Sequence, residues 1–296
     1  MRRGAPAAAL SIVVLLLAAP ASASYLNQGD RIVFSSTRGG SAYHLYSMGP
    51  TGKKVRKVVR RKGDQLPGRL SPRGDRVAFW AGPKPDNTDL FTADANGHHV
   101  RRIVRGRKKR ALWPTWAPDG RQLAFVLAGA HASELVTVGA DGKHQHVVRK
   151  SPNLIAFPGW APDGTRIAYT EPDTQGDEEI YTIEPSGKHR DKLTDNKVDD
   201  EFGDWHPLAS RISFVRDTGG GVFQLFTMKS DGRGVRQVTH GTQSVAGGLY
   251  TPDAKRLIFD RSDGSDTEIY AIGTDGKHQR RLTDNTGEDV VQYAPL

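Results

Sequence analysis

The sequence predicts an all-β protein: a six-bladed β-propeller with four-stranded blades, its ring closed by a C-terminal strand that completes blade 1. Three observations carry this. A lead motif, seen in full as WAPDG from Trp116 and again from Trp160, recurs in weaker form around Pro72, Pro207 and Pro252. Its prolines (Pro72, Pro118, Pro162, Pro207 and Pro252) are 46, 44, 45 and 45 residues apart. A second motif, such as LFTADANG from Leu90 or IYTIEPSG from Ile180, runs in phase with the first and closes at Gly52, Gly97, Gly142, Gly187, Gly232 and Gly276. Between the motifs lie alternating apolar runs such as RQLAFVLA, and no long stretch shows an apolar period of 3.6. A small twisted sheet repeated at this period cannot bury both faces alone, and radial stacking is the stable solution.

The elements follow in chain order. Arg2 and Arg3, the apolar run from Ala7 to Ala19 and the ASAS that follows have the layout of a secretory signal peptide, with cleavage expected near Ala23. That leaves residues 24–296 as one propeller domain without a transmembrane segment, exported to the periplasm or secreted. With no cysteine, neither a disulfide nor a lipid-modified cysteine anchor is possible. Formal net charge is +9, and losing the two leader arginines leaves about +7, so the mature protein stays basic.

Each unit has two readable turns. In WAPDG the proline presets φ for a type I turn and the glycine takes the left-handed position that returns the chain as a hairpin. Gly120 and Gly164 hold that position, and the DG of the second motif serves the same end between strands three and four. Trp116, Trp160 and Trp205, with Tyr250 and Tyr293 at matching positions, are expected to wedge between neighbouring blades, where truncation to alanine typically costs about 3–5 kcal/mol. The first unit lacks its lead motif. The C-terminal VQYAPL supplies it, with Tyr293 at the tryptophan position and Pro295 at the proline position, so the last strand is expected to close the ring.

The WAPDG lead, the IAF/LAF strand, the IYxI/LFTM strand with its DG turn, and the LTDN trailers at Leu193 and Leu282 resemble the TolB-type propeller built from WD40-like PD40 repeats. The resemblance covers essentially all of the mature chain. It implies a propeller-only relative without the α/β domain that precedes the propeller in TolB itself, and a protein that binds other proteins or peptides through one face and the central funnel.

Chemistry in the sequence is sparse. No GxSxG elbow is present, which argues against a hydrolase of the prolyl-oligopeptidase type. His98, His144, His189 and His278 follow second-turn glycines on four different units and cannot converge on one ion. His44, His206 and His240 fall at unrelated positions. The loops DTQGDEE from Asp173 and DRSDGSDTE from Asp260 lack the ligand spacing of a D-x-D-x-D-G site and read as turns. No cofactor, metal ligand or catalytic residue is expected.

The repeats disagree in the connection from strand four of one blade to the inner strand of the next, which surrounds the channel mouth. Arg60, Arg61 and Lys62 enter it after blade 1, and Arg105, Arg107, Lys108, Lys109 and Arg110 after blade 2. Asp199, Asp200 and Glu201 enter it after blade 4, and Glu288 and Asp289 after blade 6. One face is therefore expected to be electrically polarised. Trp113, Phe157 and Phe202 share one position, three residues before the blade tryptophan; inter-blade packing outweighs a ligand platform there. For the basic clusters, protection of exposed edge strands competes with recognition of an anionic partner. Nucleic acid is disfavoured, because export argues against it and no aromatics interleave the basic runs. The expectation is a monomeric, non-catalytic scaffold for a protein or peptide partner, or for an anionic cell-envelope polymer. The alternative is a propeller hydrolase or lyase acting on a carbohydrate.

Overall fold

In a computed structural model, residues 31–66, 68–84, 87–262 and 266–291 are described. The expected leader, Tyr293 and Pro295 lie outside them. Twenty-four strands and no helix are present among the described residues.

They fall into six antiparallel units. Unit 1 contains β1 (Ile32–Ser36), β2 (His44–Met48) and β3 (Arg56–Lys57). Unit 2 is β4 (Gln65–Leu66), β5 (Arg76–Lys84), β6 (Asn87–Asp94) and β7 (Arg101–Val104). Unit 3 is β8 (Arg110–Trp116), β9 (Gln122–Ala128), β10 (Ser133–Gly139) and β11 (His146–Ser151). Unit 4 is β12 (Ala156–Trp160), β13 (Ile167–Pro172), β14 (Glu178–Ile183) and β15 (Asp191–Lys192). Unit 5 is β16 (Asp200–Trp205), β17 (Arg211–Asp217), β18 (Phe223–Lys229) and β19 (Arg236–Gln237). Unit 6 is β20 (Val245–Tyr250), β21 (Arg256–Ser262), β22 (Thr267–Gly273) and β23 (Arg280–Arg281). The last strand, β24 (Asp289–Val290), pairs with β1 through Ser35↔Val290 and Ser36↔Asp289, giving unit 1 the strand order β24-β1-β2-β3. Units 2 and 3 are joined into one sheet by a single parallel pairing, Thr88↔Arg110.

The predicted hairpins set the layout. Units 2 to 6 turn tightly between their first and second strands and between their third and fourth, so both turns lie at one end of the unit, here the turn end; unit 1 has the second of these turns, between β2 and β3. The other connections lie at the opposite, loop end. The second-turn glycines have φ near +80°, and each packs against the outer strand, or the residue just after it, of the preceding unit: a Cβ at Gly97 would sit 1.6 Å from the Val58 carbonyl oxygen. That residue must be glycine both for its left-handed backbone and for this close approach.

Trp116 and Trp205 are 2% and 6% exposed, and their indole N–H groups donate to the carbonyls of Arg69 (2.9 Å) and Gly159 (3.0 Å) in the preceding units. Tyr250 meets His206 of the preceding unit edge to face at 5.2 Å.

Candidate functional site at the channel

The inner strands share an irregularity that the sequence did not disclose. Register shifts in β8, β12, β16 and β20, each just before the wedge residue, mark a bulge. Trp113 and Phe157 sit in it with φ of 50° and 49°, a left-handed backbone that is costly for bulky side chains. Their rings meet at 4.9 Å and are buried, and with Pro114 and Pro158 they wall a small recess. Phe202 is buried against Gly159, where any Cβ would lie 2.4 Å from its ring. All three aromatics are thus interior packing groups, and as an exposed platform the position is corrected.

A second, narrow recess opens among Trp116, Trp160, Trp205 and Tyr250. Arg69 belongs to the walls of both recesses. From unit 2 it reaches across to Asp204 of unit 5, Nη1 to Oδ1 at 2.5 Å, while Nη2 donates to the Gly203 carbonyl at 3.1 Å. The other Asp204 oxygen accepts the Tyr250 N–H at 3.1 Å. Burial raises the Asp204 carboxyl above the ordinary aspartate value, against the pull of the Arg69 charge. The pair spans the channel at its waist. Sequence reasoning missed it, although a signal was present: Arg69 and Asp204 hold the same repeat position three units apart, which in a six-membered ring means face to face.

At the loop end the predicted charges separate into two kinds. Arg60, Arg61, Lys62, Arg105, Arg107 and Lys108 are exposed, and Lys109 and Arg110 are half-buried. Arg61 lies over the Phe91 ring at 4.4 Å, and Lys109 approaches Glu134 at 3.6 Å. Arg107 and Lys108 form the tip of a tight turn, both with positive φ, closed by the Lys109 N–H on the Gly106 carbonyl.

The acidic residues differ. Asp200 and Asp289 are fully buried, which corrects the expectation of surface charge. Asp200 takes a two-pronged bond from Arg216 (2.6 and 2.7 Å) and accepts from the Asn196 side chain at 2.8 Å. Asp289 meets Arg38 at 2.5 Å and the Asn285 side chain at 2.8 Å. The LTDN trailers repeat the backbone part of this circuit. The backbone N–H groups of Asn196 and Asn285 donate to Glu179 and Glu268, both at 2.7 Å, and Thr194 and Thr283 accept from the N–H groups of Ile180 and Ile269. Glu288 is exposed, and Asp199 and Glu201 are half-buried.

Glu201 and Glu178 form a titratable pair near Asp199, which accepts the Glu178 N–H at 2.8 Å. Desolvation, with repulsion from Asp199, pushes the Glu178 carboxyl up to about 7. Desolvation, with repulsion from Glu178 and Asp199, pushes Glu201 up to about 8. Elsewhere on the rim of unit 4, Asp173, Glu179 and Asp195 converge, a grouping that loop spacing alone did not reveal. The Lys192 ammonium lies among them, 3.0, 3.5 and 2.6 Å from the three carboxylates, and does the neutralising work of a cation.

Comparison with known proteins agrees with this architecture. A family model for the TolB β-propeller domain (PD40) matches residues 76–295. The Tol-Pal system protein TolB of Thioalkalivibrio sulfidiphilus (strain HL-EbGR7) is 30% identical over 142 residues, covering 46% of this chain and only 32% of that protein. Among solved structures, TolB from Acinetobacter baumannii superposes with a TM-score of 0.74 at 15% identity, over 88% of this chain and 66% of that one. The putative TolB from Agrobacterium tumefaciens gives 0.71 at 16% identity, over 90% and 100%. An oligogalacturonate lyase in complex with manganese gives 0.61 at 15% identity, over 87% and 76%. At such identities the structural likeness is one of fold.

Proposed function

Because this chain belongs to the TolB β-propeller domain family, we propose that it is an exported, non-catalytic binding scaffold that holds a protein or peptide partner through the connections at its loop end. The observation that carries this reading is the exposed cationic arc of Arg60, Arg61, Lys62, Arg105, Arg107 and Lys108, with the carboxylate of Asp199 on the connection into the fifth unit, on the far side of the ring. A surface divided this way orients a partner of complementary charge and speeds encounter. An acidic protein patch, or an acidic envelope polymer, fits the basic sector. The Arg69–Asp204 bridge blocks the channel waist, which favours engagement at the mouth over threading of a chain.

Charge reversal of Arg107 and Lys108 tests the reading. Crosslinked partners from the native envelope are expected to be lost from the variant, and wild-type capture should weaken steeply with salt. Equal capture by both proteins at low salt would reduce the arc to edge protection.

One observation favours the rival enzyme reading: Glu178 and Glu201 titrate near neutrality, as acid and base catalysts must. Cleavage of an acidic oligosaccharide by the wild type that disappears in Glu201→Gln would replace the scaffold reading.

A further inference from the structure

The turn end differs in kind from the loop end. In all six units the residue after the closing glycine of the second turn is a basic type, namely Lys53, His98, Lys143, Lys188, Arg233 and Lys277, and all six are exposed. Of the carboxylates in these turns, exposed Asp141, Asp231 and Asp275 accept the N–H groups of Lys143 (2.9 Å), Arg233 (3.0 Å) and Lys277 (3.0 Å), while Asp94 and Glu184 meet the rings of His99 (2.6 Å) and His189 (2.7 Å). Arginines of the outer strands lace one unit to the next. Arg101 donates to the Asp141 carbonyl at 2.9 Å, Arg280 to the Pro50 carbonyl at 2.6 Å, and Arg236 to the Thr274 carbonyl. These bridges hold the turns as parts of one face.

An apolar residue protrudes from the same end. Leu208, 67% exposed, is the most exposed large hydrophobic residue among those described. It stands at the tip of the first turn of unit 5, where units 3, 4 and 6 carry Asp119, Asp163 and Asp253. Val100 and Val235, each 41% exposed, flank Arg101 and Arg236 on that face. Isolated apolar tips separated by cations do not make the contiguous apolar centre of a protein interface. A soluble polyanion would engage the cations and leave Leu208 in water. A bilayer with anionic headgroups satisfies both, with cations at the headgroups and the apolar tip at the acyl boundary.

We propose that the turn end docks on an anionic phospholipid bilayer, the ring of cations lying at headgroup level and Leu208 entering the interface. This leaves the loop end free to hold its partner.

Co-sedimentation with vesicles of phosphatidylglycerol and phosphatidylcholine, against phosphatidylcholine alone, tests the proposal on the full chain. Wild type is expected to partition onto the anionic vesicles only, and less so at high salt. Leu208→Asp restores the residue found at this turn in three other units, so it should keep the wild-type melting temperature while binding several-fold more weakly. The combined Lys143→Glu, Lys188→Glu and Lys277→Glu variant should lose about tenfold or more of its partition. Reversal of Arg107 and Lys108 at the loop end should leave vesicle binding unchanged, which separates this proposal from the partner-binding reading. Absence of partition onto anionic vesicles, retention by soluble polyphosphate alone, or unchanged binding by Leu208→Asp would each overturn it.

Discussion

The connections that enter β16 and β24 occupy the same place in the repeat as those that enter β4 and β8, yet they use their charges in opposite ways. In the first pair an LTDN turn folds onto its own unit. Asp200 and Asp289 are drawn fully inside, each held by one arginine and one asparagine, with Glu179 and Glu268 beneath the asparagine amides. In the second pair no such turn exists, and Arg60, Arg61, Lys62, Arg107 and Lys108 remain in solvent. The difference teaches that charge counted along a loop is not charge presented at a surface. The acidic sector is smaller than its composition suggests, and the basic sector is nearly what it looks like.

Stability measurements can break this comparison. Removing one member of a buried, hydrogen-bonded ion pair strands the other, a loss that typically reaches about 3–5 kcal/mol. Asp200→Ala is expected to lose that much in denaturant titration, and Asp289→Ala somewhat less, because Arg216 grips both Asp200 oxygens and Arg38 only one of Asp289. Alanine at Arg107 or Lys108 should leave the transition where it is. A mild effect at Asp200 together with a large one at Asp289 would mean that the two-pronged contact is not what holds the turn.

The repeat was legible in the sequence because turn chemistry and strand alternation are local: Pro118, Gly120 and Gly97 announce themselves within a few residues. The wedge role of Trp116 and Trp205 followed from phase alone. The inner-strand bulge did not, since a register shift is a property of two strands and Trp113 carries no mark of its positive φ. Burial of Asp200 was hidden for the same reason: its partner, Arg216, lies on the next strand. Arg69–Asp204 was within reach, once equivalent positions are read around a ring and not along a line. A smaller effect is expected there, because both side chains keep some solvent contact. Asp204→Ala should cost about 2–3 kcal/mol, most of it recovered when Arg69→Met is added, since an apolar pair avoids the desolvation the ions incur. No recovery in the double variant would show that Asp204 acts mainly through the Tyr250 amide.

The smallest expected effect is a pH dependence confined to the acidic sector. Glu201 titrates near 8 in the folded chain, against about 4.3 for an unfolded glutamate, so between those values the native state holds a proton that the unfolded state has released. Stability from this group is therefore intact below about pH 4, falls as pH rises through the interval, and stays low above pH 8. Glu178 adds the same trend with its upper limit near 7. Glu201→Gln removes the ionisation, and its melting temperature should exceed that of wild type near pH 9 while matching it near pH 4. If Glu201→Gln melts with wild type throughout, the carboxylate is well solvated at the channel mouth, and the acidic sector is as open as the basic one.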